Sequence, residues 1–511
     1  MCTAVTSLQR TFICVDALDE CVPRHQLEVL DAFGQIIRGS PNTRMFITGR
    51  SHIRGVVEGG LGGRTISVCI KSRDDDIVTY LRARLRKDTT PEAMDSSLEN
   101  DIMKSIPEGT SETYVPMGDP ENSCESYTDR CKYRFLLASL KVETILRETT
   151  IYRRRNKLKA TGDGLGLGDA YETTIERIKA QEGEKAKLAM TTLMWICYSE
   201  RPLLVDELCH ALAVEIGSTN FNNDNVPGME TLLSCCQGLV TVDKEASAAR
   251  LIHHTLREYL STHRGLFPRA HSEMAETRLT YLNSVQAKSQ PDISSMPFLK
   301  YSSRYWGIHA KKELSDRAVL LAMEFLDQYE NHVAANTLFE QILDAGDSPE
   351  ANSPSLFGGL HCASFFGIVQ VMTDLLEMSG CDVNQGDSAG ITPLIWAVRG
   401  GQQEAVELLL RQGAVGPDRS DNSGNTPLVW AAFEGHESMV KQLLDREDVD
   451  PDKPDNEGRT PLSYAAIQGH KSVVKQLLDR QEVNPDKPNN KGKTPLSWAA
   501  ENIVISKAVA M

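Results

Sequence analysis

The stretch Asp421-Asn422-Ser423-Gly424-Asn425-Thr426-Pro427-Leu428 decides the fold, because its pattern returns at a fixed interval. Thr392-Pro393-Leu394, Thr426-Pro427-Leu428, Thr460-Pro461-Leu462 and Thr494-Pro495-Leu496 stand 34 residues apart. Gly390, Gly424, Gly458 and Gly492 precede that tripeptide by two positions. Asp387, Asp421 and Asp455 precede it by five, with Asn489 in the fourth copy. Downstream, Gly401, Gly435 and Gly469 share one column, and Leu409-Leu410, Leu443-Leu444 and Leu477-Leu478 another. Counting back once more finds Leu360, Ala363, Gly367 and Leu375-Leu376 in register, a divergent earlier copy. Self-similarity at this period is the mark of a stacked-repeat fold.

Each column has a physical task. An Asp-x-x-Gly string suits a tight turn, in which Asp bonds nearby backbone and Gly takes a positive φ. Thr caps a first helix while Pro fills its first turn, where no N–H is needed. Leu394, Ala397 and Val398 make one apolar face, the following Gly ends the helix, and Val406, Leu409 and Leu410 form the face of a second helix. One such unit cannot bury its own faces, so neighbours must stack. On these residues the chain resembles the ankyrin repeat family over about 355–511, in roughly four units with the last incomplete. That resemblance implies a protein partner, bound by hairpin tips and the concave helical face. Arg419, Lys453 and Lys487, near the tips, are the contact candidates. The aromatic ladder of Trp396, Trp430, Tyr464 and Trp498 is expected to pack between repeats beside small Ala residues. The apolar tail Ala508-Val509-Ala510-Met511 stands where a repeat array needs a polar cap, and self-association or fraying is expected there.

Composition bounds the rest. The 511 residues carry 55 Lys and Arg against 70 Asp and Glu, a net charge of −15, which argues against a general nucleic-acid or anionic-membrane binder. With 41% hydrophobic and 24% charged residues the chain is globular in kind and long enough for several domains. Its 12 Cys are scattered, with no C-x-x-C pair, and are expected to be reduced and mostly buried. No window reaches about 18 apolar residues, and the N-terminal string has no basic region before its apolar stretch, so no membrane span or signal peptide is expected. A cytoplasmic location follows as the expectation, with the nucleus as the alternative.

The N-terminal piece reads as parallel α/β. Phe12-Ile13-Cys14-Val15 is a buried strand ending in acids, Gln26–Ile37 has near-helical apolar spacing, and Arg44-Met45-Phe46-Ile47 is a second buried strand. Four hydrophobic residues followed by Asp make a Walker-B pattern. The fuller string Val15-Asp16-Ala17-Leu18-Asp19-Glu20-Cys21, followed by a strand ending at Arg50, resembles the fungal NACHT class of STAND-type NTPases. On that resemblance Asp16 is the metal-associated acid, Asp19 or Glu20 polarises water, and Arg50 sits at a sensor position. A full-length relative would bind ATP or GTP with Mg²⁺.

What is missing decides the expectation for activity. The ten residues before Thr11 contain no Gly and no Lys, so no Walker-A loop precedes the strand. Gly492-Lys493-Thr494 does not supply one, since position 487 is Lys and the string falls in repeat register. The glycine-rich run 162–168 follows a basic amphipathic segment rather than a strand and reads as an interhelical loop. We expect an N-terminally truncated NTPase half that needs no cofactor and does not hydrolyse nucleotide alone. An NTPase whose phosphate loop comes from missing sequence or in trans is the alternative, and a passive ankyrin scaffold the second.

Between these ends the expected organisation is an NTPase half over 1–90, a helical subdomain over 91–184 with a polar, turn-rich insert at about 105–131 containing Cys124 and Cys131, a winged-helix domain over 185–270 and a helical connector over 271–354. In the winged-helix part, 239–242 and 250–254 form the expected hairpin, with His253 and His254 alternating across a strand. Few Lys or Arg cluster there, so nucleic acid is not the expected partner. Tyr305–His309 reads as a packing anchor. The fold class expected is multidomain, α/β followed by α, ending in an ankyrin solenoid. The function expected is protein–protein interaction within NACHT-type signalling or nonself recognition, the latter by resemblance.

Overall fold

The computed structural model describes residues 11–15, 18, 23–39, 43–47, 54–61, 74–111, 125–162, 167–288, 295–327, 329, 332–335, 338, 356–378 and 380–500. The chain is mostly helical and divides into two compact units, Met1–Ala180 and Gln181–Met511.

In the first unit, β1 (Thr11–Val15) and β2 (Thr43–Ile47) pair in parallel, Thr11 opposite Thr43, with α1 (Pro23–Gly39) as the crossover between them. Val15 and Ile47 pack with Leu18, Leu30 and Phe33 and with Val56 and Val57 of α2 (Arg54–Gly60). The expectation of buried strands is corrected here. Alternate strand residues point to opposite faces, and on the other face the paired Cys14 and Phe46 are exposed, Phe46 at 59%.

Among the described residues five helices follow: α3 (Asp74–Leu85), α4 (Ser96–Ser111), α5 (Glu125–Leu146), α6 (Ile151–Gly162) and α7 (Leu167–Lys179). Ile77, Leu81, Leu98, Ile102, Ala138, Val142 and Ile145 form their core. The expected turn-rich segment 105–131 is corrected at both margins, because α4 runs through Pro107 and α5 already contains Cys131. Burying Ile102 and Ile106, one turn apart, outweighs the polar composition around them. Of the glycine-rich run, Gly162 ends α6 and Leu167-Gly168 open α7, while residues 163–166 lie outside the described residues. A fully buried ion pair ties this bundle to the loop after α3: Arg154 Nη1 donates to Asp88 Oδ2 at 2.6 Å, and its other donors reach Thr90, the Leu146 carbonyl and the Glu148 carbonyl. Every donor that burial strips of water is thus re-satisfied.

The second unit opens with α8 (Glu184–Tyr198), β3 (Leu203–Leu204), α9 (Val205–Ala213), α10 (Met229–Cys235), β4 (Val240–Asp243) and β5 (Ala248–Leu251). The strands form one antiparallel sheet in the order β3-β5-β4. The order helix, strand, helix, helix, strand, strand is that of a winged helix. Glu207 fixes the first strand: its carboxylate accepts two bonds from Arg201 at 2.8 and 2.6 Å and a third from the Leu204 N–H at 2.9 Å. The expected hairpin of 239–242 with 250–254 forms, but its second strand begins two residues earlier than expected, at Ala248. It stops at Leu251, and His253 caps α11 (His254–Thr262) by accepting from the Thr255 N–H.

The expected connector continues the repeat stack. It comprises α12 (Ala270–Asn283), the short α13 (Val285–Lys288), α14 (Phe298–Lys312) and α15 (Asp316–Leu326). The buried Trp306 of α14 meets Phe325 of α15 and Phe366 of the first repeat edge to face, at 5.6 and 5.5 Å. Gly307 lies so close under Phe366 that a Cβ there would sit 2.2 Å from its ring.

Among the described residues four helix pairs then stack: α16 (Gly359–Phe366) with α17 (Val369–Glu377), α18 (Pro393–Arg399) with α19 (Gln403–Leu410), α20 (Pro427–Glu434) with α21 (Glu437–Leu444), and α22 (Pro461–Gln468) with α23 (Lys471–Leu478). A further helix runs over 495–500. Thr392, Thr426, Thr460 and Thr494 each accept a backbone N–H three residues on, at 3.2–3.4 Å. Thr494 of the Gly-Lys-Thr string is therefore a helix cap. Among the described residues no helix is long and apolar enough to cross a membrane.

Candidate protein-binding site

The loops between repeats are built on one carboxylate each. Asp421 Oδ1 accepts the N–H groups of Ser423 and Asn425 at 2.9 and 2.8 Å, and Asp387 and Asp455 hold their turns the same way. Their second oxygens take an aromatic donor nine residues on. Trp396 Nε1 donates to Asp387 Oδ2 at 3.0 Å, Trp430 Nε1 to Asp421 Oδ2 at 3.1 Å, and the Tyr464 hydroxyl to Asp455 Oδ2 at 2.8 Å. Burial and the Asp455 carboxylate push the Tyr464 hydroxyl well above the ordinary phenol value. Trp396 is fully buried and Tyr464 9% exposed, with Trp430 half-buried, so the ladder chiefly packs, as its Ala neighbours imply.

Adjacent loops are joined by a second ladder. Asn422 N donates to the Ala389 carbonyl, Asn456 N to that of Ser423, and Asn490 N to that of Glu457, at 2.9–3.0 Å. Each Asn amide also donates to a carbonyl 34 residues earlier, Asn422 to Ser388 at 3.1 Å, Asn456 to Asn422 at 2.9 Å and Asn490 to Asn456 at 3.0 Å. Gly424 makes room for this. Its φ is +87°, and a Cβ would fall 2.6 Å from the Asn456 nitrogen. The Asn column repeats as regularly as the Asp column beside it, and that period was the signal by which sequence reasoning could have found it.

Of the three tip candidates, the structure uses two between repeats. Lys453 Nζ donates to the Asp418 carbonyl at 2.7 Å and its carboxylate at 3.0 Å, and Lys487 makes the same two bonds to Asp452 at the same distances. Each lysine reaches back one repeat, which gives it a structural task. Arg419 is exposed, and its guanidinium has no bonded partner among the described residues. The aromatics of the first helices pack on one another: Phe433 meets Trp430 and Tyr464 edge to face at 5.9 Å each, and the Arg399 guanidinium lies 4.9 Å from the Trp396 ring centre and 4.4 Å from that of Trp430.

The remaining candidates fall elsewhere. Asp16, Asp19, Glu20 and Arg50 lie outside the described residues, as do Cys124 and the tail 508–511. His253 and His254 do not alternate across a strand; their rings are 4.0 Å apart at the start of α11. Helix α10 carries Glu230 and no Lys or Arg. A polar cluster absent from the sequence reading joins the winged helix to α12 and α14. The buried Arg278 guanidinium lies over Trp195 and Tyr301, 4.7 and 5.0 Å from the ring centres, and burial lowers it to about 10. Beside it, Nδ1 of His271 and Nδ1 of His309 are 2.8 Å apart.

Known families share these features. The family model described as Ankyrin repeats (3 copies) matches residues 360–455 and 438–509. The C-terminal stack is an array of ankyrin repeats. The family model described as GPI inositol-deacylase, winged helix domain, matches residues 175–275, in agreement with the strand order around β5. Over 283 residues the chain is 25% identical to the azaphilone pigments biosynthesis cluster protein L of Monascus ruber, an alignment covering 48% of this chain and 59% of that protein. The ankyrin hairpins, with Arg419 exposed near one of them, are thus the best-formed candidate binding surface.

Proposed function

We propose that this chain is the protein-recognition part of a NACHT-type signalling protein, with the ankyrin hairpins and concave face binding a protein partner in the cytoplasm or nucleus. The observation that carries this reading is the paired Asp and Asn ladders, which hold successive hairpin tips in fixed register as one continuous surface. A rigid array of that kind presents contact residues without ordering them on binding, which lowers the entropy cost of association. The winged-helix match and the parallel β1–β2 pair support the NACHT side of the reading; nonself recognition is part of the proposal on the resemblance alone. Direct packing of Trp306 on Phe366 gives a partner bound at the repeats a stiff path to the winged helix.

Nucleotide switching belongs to this proposal as its second reading, favoured by the strand–helix–strand unit at the N-terminus. Asp16, with Asp19 or Glu20, would associate with Mg²⁺, and Arg50 would sense the phosphate of ATP or GTP, once a phosphate-binding loop is supplied. Calorimetric titration with ATP and GTP in Mg²⁺ tests it. We expect no micromolar binding and no turnover by this chain alone; micromolar affinity overturns the reading of it as a recognition module. The recognition claim is tested with a captured partner. Arg419→Glu should weaken its binding, while a chain truncated before the repeats should lose it. A partner kept after that truncation refutes the claim.

A further inference from the structure

We propose that the outer helices of the ankyrin stack form a self-complementary surface on which a second copy of this chain docks antiparallel. The second helix of each repeat carries a charge that changes sign along the stack. Helix α17 holds Asp374 and Glu377, and α19 holds Glu404 and Glu407, with no cation within either helix. Helix α21 is balanced by Glu437 and Lys441, and α23 holds Lys471 and Lys475 with no acid. The formal charges therefore run −2, −2, 0 and +2 through four equivalent positions. The same column reads Glu407, Lys441, Lys475, and its neighbour Gln403, Glu437, Lys471, at intervals of 34 residues.

Side-chain pairing within the chain leaves this gradient standing. Arg411 lies 3.6 Å from Glu407, and Arg480 bonds Asp445 at 2.7 Å. Glu377, Glu404, Lys471 and Lys475 are all exposed and make no ion pair among the described residues. The acidic and basic ends lie on the same face of one molecule. A two-fold axis across that face sets α23 of each copy against the acidic α17 and α19 of the other, satisfying both ends at once. That geometry is isologous and closes at two copies. Large apolar side chains accompany both ends, with Met378 beyond α17 and Leu478 at the end of α23 each 49% exposed. The chain's −15 charge opposes any pairing at long range. At ionic strengths that shorten the Debye length to about 8 Å, that repulsion is screened while contact pairs persist.

Sedimentation velocity on the whole chain tests the proposal, using Lys471→Glu with Lys475→Glu as one variant and Glu377→Lys with Glu404→Lys as the other. A dimer is expected at about 0.15 M salt and should dissociate at about 1 M, where the Debye length falls to about 3 Å. Each variant alone should dimerise at least about tenfold more weakly, and an equimolar mixture should restore a one-to-one dimer. Far-ultraviolet dichroism and melting midpoints like those of the unchanged chain establish that both variants fold, and if one does not, the other still tests its own end. A chain that stays monomeric throughout, or variants that associate as well as the unchanged chain, overturn the proposal. So does a monomer whose lysine variant instead loses an acidic partner. The hairpin tips are untouched in these variants, so partner binding there stands or falls separately.

Discussion

The indole N–H of Trp498 lies nine residues after Asn489, and among the described residues it has no acceptor. In three earlier copies that position is Asp, which closes its turn with one oxygen and receives the aromatic donor with the other. Asn489 keeps the first task, accepting Lys491 and Lys493 N–H at 3.0 and 2.9 Å, but offers an amide nitrogen where the second oxygen would be. Asn489→Asp should therefore stabilise the last repeat, since a bond to a charged acceptor contributes about 1.5–3 kcal/mol. Asp421→Asn should destabilise by a similar amount. Urea midpoints of the two variants, moving in opposite directions, check this; no rise for Asn489→Asp would refute the account of the column.

Lys453 and Arg419 occupy the same repeat position, yet only Lys453 is tied to the repeat before it. Burial raises the Asp418 carboxyl, and the Lys453 ammonium works against that rise. Lys453→Met should cost up to about 1 kcal/mol, the range of a half-exposed pair. Arg419→Ala should stay within about 0.5 kcal/mol, as surface changes usually do. Equal losses for the two in urea unfolding would show that the Asp418 link does not matter.

Gly307 sits inside α14, where Ala would ordinarily be favoured by about 1 kcal/mol. Here the added methyl would meet the Phe366 ring at 2.2 Å, well inside contact distance. Overpacking of that kind costs about 1–3 kcal/mol, so the net expectation is a loss. Hydrogen exchange should show it first in α14 and α16. A stabilised Gly307→Ala protein would mean that the two helices are free to separate.

Acid should weaken the second unit. Burial, the largest cause in each case, lowers His210, His271, His309, His332 and His436 below the ordinary histidine value. For His309 the Arg278 and Lys312 charges push further the same way, although Glu200 lies 3.6 Å from its Nε2. A depressed folded value means that the unfolded chain binds more protons. These groups' contribution is complete above about pH 6.5 and is lost as pH falls from there toward their folded values. Melting midpoints measured from pH 7 to pH 5 should decline, and a flat profile would contradict the assignment.

The repeat array was legible because its constraints are local. The Thr cap, the Pro in the first turn and the Asp-x-x-Gly loop each act within a few residues, so a 34-residue period records them directly. The winged helix was half legible: its hairpin was visible, but β3 is two residues long and α10 seven, too short for any hydrophobic period to register. The margins of 105–131 were misread because Ile102 and Ile106 gain their helix from burial in the bundle around α5, which composition does not express.

The sequence by itself determined that there are repeats, where the first helix of each begins, and which residues turn the chain between them. Tertiary structure alone decided that Lys453 and Lys487 bind the preceding repeat, that the stack is continuous with α14 through Gly307, and which histidines are shielded from water. Those outcomes depend on distances between residues far apart in the chain, and burial and ion pairing take their strength from such distances.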